Sequence, residues 1–292
     1  PPRSTLFPYT TLFRSVPPPE LIDIDGVERS PVDYARNLGI RLLLGCEYSC
    51  DTWVDDVHIC GYQLDWSRPE VRAEAEAAER SKSRAYEELC ERLTTRGMPM
   101  DWEKDILCYQ KPDGTPARRN PDDVQRKHIF ERMAAKGYTK TWSDAKIMVQ
   151  GDEGLNVKRR KIDPLAAINL IHDCGGVAIL AHPYLIEETV RPGGGAPMKR
   201  ADYIERLIQG GIDGIEGAYT YDKTTYKGTM TPEQVEAEIR RLYGQRVRFI
   251  SGGSDYHADH KKGAKQVRSL GERGITIEAF EAFFGPISGP AK

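Results

Sequence analysis

The sequence predicts an α/β protein. Three observations lead there. Short apolar runs alternate along the chain with stretches of helical spacing. The runs are apolar at consecutive positions, as strands covered on both faces are. The helical stretches open on capping residues and close on glycines. Alternation of this kind implies parallel strands joined by helices, and either a barrel or an open sheet satisfies it.

The elements follow in order. Residues 32–38 form a short helix that stops at Gly39, a residue suited to the left-handed helix end. Residues 40–44, all but one apolar, form a buried strand leading to Glu47, and residues 57–62 form a second strand. Residues 69–96 make a long charged helix with Tyr86, Leu89 and Leu93 at three- and four-residue spacing. Residues 98–162 are more polar, with one clear helix over 124–136, and read as a mostly helical insertion.

The main body resumes at Asp163-Pro164, a capping residue followed by proline at the first helical position. Residues 177–181 are a strand, 191–199 a glycine-rich loop, 201–209 a helix and 212–219 a strand. Thr231-Pro232-Glu233-Gln234 is a capping box opening a helix, residues 247–251 are the next strand, and 277–284 a closing helix.

The chain has 292 residues, 39% apolar and 29% charged, with a net charge of −2 from 42 basic and 44 acidic side chains. That balance argues against attachment to nucleic acid through bulk positive charge and leaves a local basic groove open. No stretch reaches the roughly 18 apolar residues of a membrane span. The six cysteines contain no C-x-x-C, which excludes a zinc ribbon and a dense disulfide framework and points to reduced thiols in a cytoplasm.

Residues 5–15, TLFPYTTLFRS, match the in-frame translation of a common sequencing-library adapter over all eleven codons. Residues 1–15 are therefore expected to be an artefactual leader. Residues 16–292 are expected to be one domain carrying the insertion at about 98–162.

Chemistry gathers at the strand ends. Glu47 follows the first strand, His58 lies on the second, His182-Pro183 follows 177–181, and Asp255-x-His257 follows 247–251. Carboxyl ends of parallel strands converge on one face, and imidazoles with carboxylates there suit divalent transition metals. Taken singly, Glu47 is a strand-end charge, His58 a core histidine and Asp255 a turn former; together they read as a metal site. The residue before proline is driven toward an extended conformation, which would project the His182 imidazole from the strand. Side chains two apart on an extended segment share a face, which would pair Asp255 with His257. Arg126 and His128, two apart, either grip a phosphate or form a basic turn on an exposed helix. His172 reads as a surface or packing residue and His260 as solvated. Gly193, Gly194 and Gly195 lack the Lys-Ser/Thr that a phosphate loop requires.

Four segments, in order, resemble the polymerase and histidinol phosphatase (PHP) superfamily. They are Gly45-Cys46-Glu47-Tyr48-Ser49, Val57-His58-Ile59-Cys60-Gly61-Tyr62, Gly175-Gly176-Val177-Ala178-Ile179-Leu180-Ala181-His182-Pro183 and Gly252-Gly253-Ser254-Asp255-Tyr256-His257. The likeness spans about residues 30–260 and is nearest to stand-alone metal-dependent phosphoesterases of nucleotides and short RNA 5′ ends. It implies a distorted (β/α)7 TIM-like barrel of PHP type, holding two or three divalent ions of Mn, Zn, Fe or Mg. Glu47 would bridge two ions, with His58 and His182 completing one. Asp255 would serve another, and His257 a third or the substrate phosphate. Glu47, His182 and His257 would carry catalysis, through water made acidic and oriented by the ions. Arg126 and His128 would contact substrate, with Lys127 departing from the family's proline. The family opens on strands carrying His-x-His and Thr-Asp-His, whereas the first histidine here is His58. The barrel is thus expected to lack its first strands.

The resemblance implies phosphate-monoester hydrolysis of nucleotides or short nucleic-acid ends, without stable duplex DNA binding. A polymerase-associated exonuclease module and a non-catalytic fragment are the rival readings.

Overall fold

The computed structural model describes residues 20–111, 113–257 and 266–285. The adapter-like leader and His260 lie outside the described residues. The chain divides into two compact units, one formed by residues up to 75 together with those from 162 onward, the other by residues 76–161.

The first unit begins with a hairpin, β1 (Ile22–Ile24) and β2 (Val27–Arg29). It turns at Asp25 and Gly26, both at positive φ (55° and 79°), the Asp-Gly pair that two-residue hairpins favour. Helix α1 (Pro31–Asn37) is capped by Ser30, whose hydroxyl accepts the Asp33 N–H at 3.3 Å. Strands β3 (Gly45–Ser49) and β4 (His58–Tyr62) follow, then the long helix α2 (Pro69–Thr95). The boundary between units falls inside α2. The second unit adds the hairpin β5 (Cys108–Gln110) and β6 (Pro116–Arg118), then α3 (Arg126–Ala135) and α4 (Trp142–Gly151). Back in the first unit come α5 (Pro164–Asp173), β7 (Val177–Ala181), the short pair β8 (Thr189–Val190) and β9 (Met198–Lys199), and α6 (Arg200–Gln209). Strand β10 (Gly214–Tyr219), α7 (Pro232–Tyr243), β11 (Phe249–Gly253) and α8 (Ile277–Phe284) complete it.

Three expectations are corrected. Residues 40–44 are not a strand: Ile40 is exposed, and pairing begins only where the Gln63 N–H reaches the Leu44 carbonyl at 3.2 Å. Instead Arg41 caps the end of α8, donating to the carbonyls of Phe284 (2.5 Å) and Gly285 (2.6 Å). Nor are all strands parallel. The sheet order is β11-β10-β7-β4-β3; β7, β10 and β11 run parallel, while β4 runs antiparallel to both β7 and β3. The loop 50–57 is too short for the crossover a parallel pair needs, so β3 and β4 form a hairpin. Where the resemblance implied a barrel, the described residues form an open mixed sheet with β3 and β11 at its edges and no closed barrel.

Alternation sorts each strand between two layers. Ile59, Leu180 and Ile215 face a core built with Ile168 and Ile171 of α5, Ile204 and Leu207 of α6, and Val235 and Ile239 of α7. Cys60, Tyr62, Ile179 and Phe249 face Phe280 and Phe284 of α8. Glu47 and His58 share the side of Cys60, because positions two apart on a strand do. The cap of α5 is as expected: Asp163 accepts the N–H groups of Leu165 (2.9 Å) and Ala166 (3.1 Å). An Asp163→Ala variant is expected to lose about 1 kcal/mol of stability, read from its urea midpoint. All six cysteines are free thiols, and five are buried. No helix among the described residues is long and apolar enough to cross a membrane.

The second unit has its own core of Leu89, Leu93, Ile106, Ile129, Met133 and Val149. At its edge Asp105, with a side chain only 8% exposed, meets Arg132 at 2.6 Å and also Lys136. Burial pushes the Asp105 carboxyl up, but hydrogen bonds from Lys136, the Asp101 N–H and Arg132 outweigh this and hold it at about 2. The folded value lies below the unfolded one, so this stabilisation is complete above about pH 4 and fades as the pH falls toward 2. Asp105→Asn is expected to cost about 2 kcal/mol at pH 7 and progressively less below pH 4. Hydrogen exchange of the α3 amides checks this.

Candidate metal centre

Sheet register builds the site. Glu47 pairs with Cys60, and His58 pairs with Ser49 on one side and Ala181 on the other. Glu47 and His58 are therefore diagonal neighbours on one face of the sheet. His182 comes one residue after Ala181. One ligand atom from each of Glu47, His58 and His182 lies within 4.8 Å of the others. The His58 Nδ1 is 2.6 Å from Glu47 Oε1, the His182 Nε2 is 3.3 Å from the same oxygen, and the two ring nitrogens are 3.1 Å apart. Glu47 thus sits within β3 rather than past its end. The reversed β4 brings its first residue to the same edge as the last residues of β7.

Backbone conformation at this edge departs from the extended form expected of His182 and Asp255. Both are left-handed, with φ of 30° and 49°. For His182 the contacts explain it. Its N–H donates to Glu216 Oε2 at 2.7 Å, its carbonyl accepts the Leu185 N–H at 3.0 Å, and its ring reaches Glu47. A left-handed residue other than glycine costs about 1–3 kcal/mol, and such strain gathers where the surroundings fix a side chain for function.

The donor set fits a divalent cation. Two imidazole nitrogens and a carboxylate oxygen point at one another. One shared proton can bridge two of these atoms at a time, whereas one cation satisfies all three. First-row ions lie about 2.0–2.2 Å from such donors, which sets ligand separations near 3 Å. The surrounding charge agrees. Burial alone pushes the His182 imidazole down, but Glu47, with Glu216 and Asp255 beyond it, reverses this and lifts it to about 9. Burial also raises the Glu216 carboxyl to about 8, against the pull of His182. Glu47 thus makes the site a buried negative field that collects positive charge, and Glu216 adds to it once a cation draws its proton off.

Asp255 and His257 form an adjoining group. Asp255 Oδ2 accepts from Arg268 at 2.9 Å and from the Tyr219 hydroxyl at 3.2 Å. The His257 Nδ1 lies 2.6 Å from the Asp255 carbonyl and 3.2 Å from Asp255 Oδ1. Tyr219 links the two groups, since its ring centroid is 5.1 Å from that of His182. Among the described residues Glu47, His58 and His182 form the ligand cluster, without Asp255 and His257.

Arg126 and His128 belong to the second unit. The Arg126 guanidinium donates to the Val157 carbonyl at 3.1 Å, and the His128 Nδ1 accepts the Gln125 N–H at 3.1 Å, closing a capping box on α3. Burial pushes the His128 imidazole down. His172, read as a surface or packing residue, bonds Asp213 at 2.8 Å.

Sequence reasoning overlooked Glu216, Tyr219 and Arg268. Glu216 carried a signal, a lone carboxylate inside an apolar strand; Arg268, in a polar segment, carried none. Also overlooked was a cleft of about 940 Å³ in the first unit, lined in part by Trp53, Tyr184, Arg191, Arg200, Tyr226 and Lys227. Trp53 is half exposed there, and Arg200 lies 4.1 Å over the Tyr184 ring.

No protein-family model matches the chain. It is 26% identical over 162 residues to a 5′-3′ exoribonuclease of Haemophilus influenzae, covering 55% of this chain and 54% of that protein. It is 30% identical over 149 residues to the 5′-3′ exoribonuclease Rnm of Salmonella typhimurium, covering 50% and 47%. The chain spans about half the length of the curated relatives it matches. Two solved structures share the fold. One, assigned as a metal-dependent phosphoesterase of Bifidobacterium adolescentis, matches with a TM-score of 0.56 and 22% identity over 86% of this chain and 78% of its own. The other, an amidohydrolase of Chromobacterium violaceum with bound sulfate and no metal, matches with a TM-score of 0.57 and 20% identity over 88% and 81%. The mixed α/β architecture described above is thus one found among metal-dependent hydrolases.

Proposed function

We propose that this chain is a metal-dependent phosphoester hydrolase acting on nucleotides or short single-stranded nucleic-acid ends. The observation that carries the reading is the convergence of Glu47, His58 and His182 from three neighbouring strand segments to within 4.8 Å. The exoribonuclease relatives and the phosphoesterase-like fold support it. A divalent ion held there would supply acidified water and offset charge on the phosphoryl oxygens. The rest falls to the chain. Glu47 contributes the negative charge that selects a cation. Glu216 fixes the His182 backbone and so aims its ring. Asp255 orients His257 through Nδ1, which assigns Nε2 to proton exchange with the leaving group. The Trp53 cleft offers a stacking surface of the kind single-stranded bases use, which favours a short oligonucleotide over a bare phosphate ester. Arg126 and His128 are the proposed substrate contacts of the second unit. The edges at β3 and β11 are where a PHP-type barrel would add strands.

Release of phosphate, or of mononucleotides, with Mn²⁺ from a generic aryl phosphate, a mononucleotide and a 5′-phosphorylated tetranucleotide tests this. Metal-dependent release that is fastest on the tetranucleotide and slows in Trp53→Ala is expected. No metal-dependent release from any of the three overturns it.

A further inference from the structure

Asp255 is fully engaged. One oxygen holds the Arg268 guanidinium at 2.9 Å and the Tyr219 hydroxyl at 3.2 Å; the other lies 3.2 Å from the His257 Nδ1. A second Arg268 nitrogen is 3.4 Å from the same His257 nitrogen. The pair is no surface bridge, since the side chains of Arg268 and Asp255 are each only 15% exposed. The segment bearing Arg268 is tied down on both sides. The Lys223 ammonium binds the Val267 carbonyl at 3.0 Å and also Glu272, which accepts the Ser269 N–H at 2.7 Å. Beyond them the segment presses on the end of β11. A Cβ at Gly252 would lie 2.4 Å from the Arg273 carbonyl, so only glycine admits that approach.

We infer that Arg268 is a built-in cation standing where a second metal ion would bind, so that the chain holds one divalent ion and grips a substrate phosphate between that ion and the guanidinium. The inference rests on the hydrolase reading above and narrows it, for resemblance alone would have Asp255 serve a further ion. An ion at Asp255 would displace a charge-assisted bond and sit beside a group of its own sign. A guanidinium's planar fork of donors matches phosphoryl oxygens in geometry as well as charge. Tyr219 touches both Asp255 and the His182 ring, and so joins the group that holds Arg268 to the Glu47 cluster.

Equilibrium dialysis with Mn²⁺ counts ions per chain. One ion is expected in the native protein, one in Asp255→Asn, one in Arg268→Lys, and a second in Arg268→Gln. Inorganic phosphate should bind the Mn²⁺-loaded native protein about tenfold more tightly than Arg268→Gln, with Arg268→Lys between them. Two or more ions in the native protein, one of them lost in Asp255→Asn, overturn the inference. So does a single ion that stays single in Arg268→Gln, or phosphate affinity that Arg268→Gln leaves unchanged. No ion at all in the native protein instead overturns the metal reading of Glu47, His58 and His182. If Arg268→Gln does not fold, the native and Asp255→Asn counts still test the single ion, and the phosphate affinity of Arg268→Lys against the native protein tests the guanidinium, an equal affinity overturning its role.

Discussion

Replacing His182 by alanine is expected to weaken divalent-ion binding on the order of 100-fold or more, measured by titration with Mn²⁺ or Zn²⁺. Changes one shell away from a metal commonly cost 10–100-fold, and His182 supplies a donor directly. Its removal leaves Glu47 and His58 as two donors where three converge. Glu216→Gln keeps an acceptor for the His182 N–H, which it receives at 2.7 Å, but removes the charge that this carboxyl would take up beside a bound cation. A smaller loss, about tenfold, is expected there. Equal affinity in His182→Ala and the native protein would mean that the three side chains meet for packing and not for a cation.

The second large effect lies at the opposite ends of the parallel strands, where they begin. Asp213, with a side chain only 7% exposed, accepts the Ala178 N–H at 2.9 Å, meets the His172 Nε2 at 2.8 Å and pairs with Arg248 at 2.8 Å. Its own backbone bonds Ala178 and Arg248 as well. One carboxylate thus joins the entries of β7, β10 and β11. Asp213→Ala leaves a backbone donor and an imidazole without their acceptor, at a cost of about 3 kcal/mol. For a unit of this size that is a fall of about 6–12 °C in Tm. Calorimetry checks it, and an unchanged Tm would show that water replaces the carboxylate without penalty.

The elements most legible in the sequence were those with chemical punctuation. Asp163-Pro164 marked the start of α5, Thr231 and Gln234 that of α7, and Gly97 and Gly137 lie where α2 and α3 have ended, each at positive φ. Apolar runs without such marks were placed less well. Residues 40–44 look more like a strand than 45–49 do, yet Glu47 is the residue the sheet takes in. A run of leucines records a preference for burial; which residues join a ladder depends on where the partner strand stops. The hairpin at Asp25-Gly26 carried a strong turn signal but too few apolar residues on either side to stand out.

The sequence by itself determined which residue types were available for chemistry and that an α/β frame would carry them. Glu47, His58 and His182 could be singled out because imidazoles and carboxylates at the ends of apolar runs are costly unless they are used. Only the tertiary structure decided how they meet. The reversal of β4 sets His58 against Ala181, and left-handed turns aim His182 and Asp255. Arg268 reaches Asp255 across a chain separation of 13 residues. Each of these depends on hydrogen-bond register and on contacts between segments remote in sequence, and local composition holds no record of either.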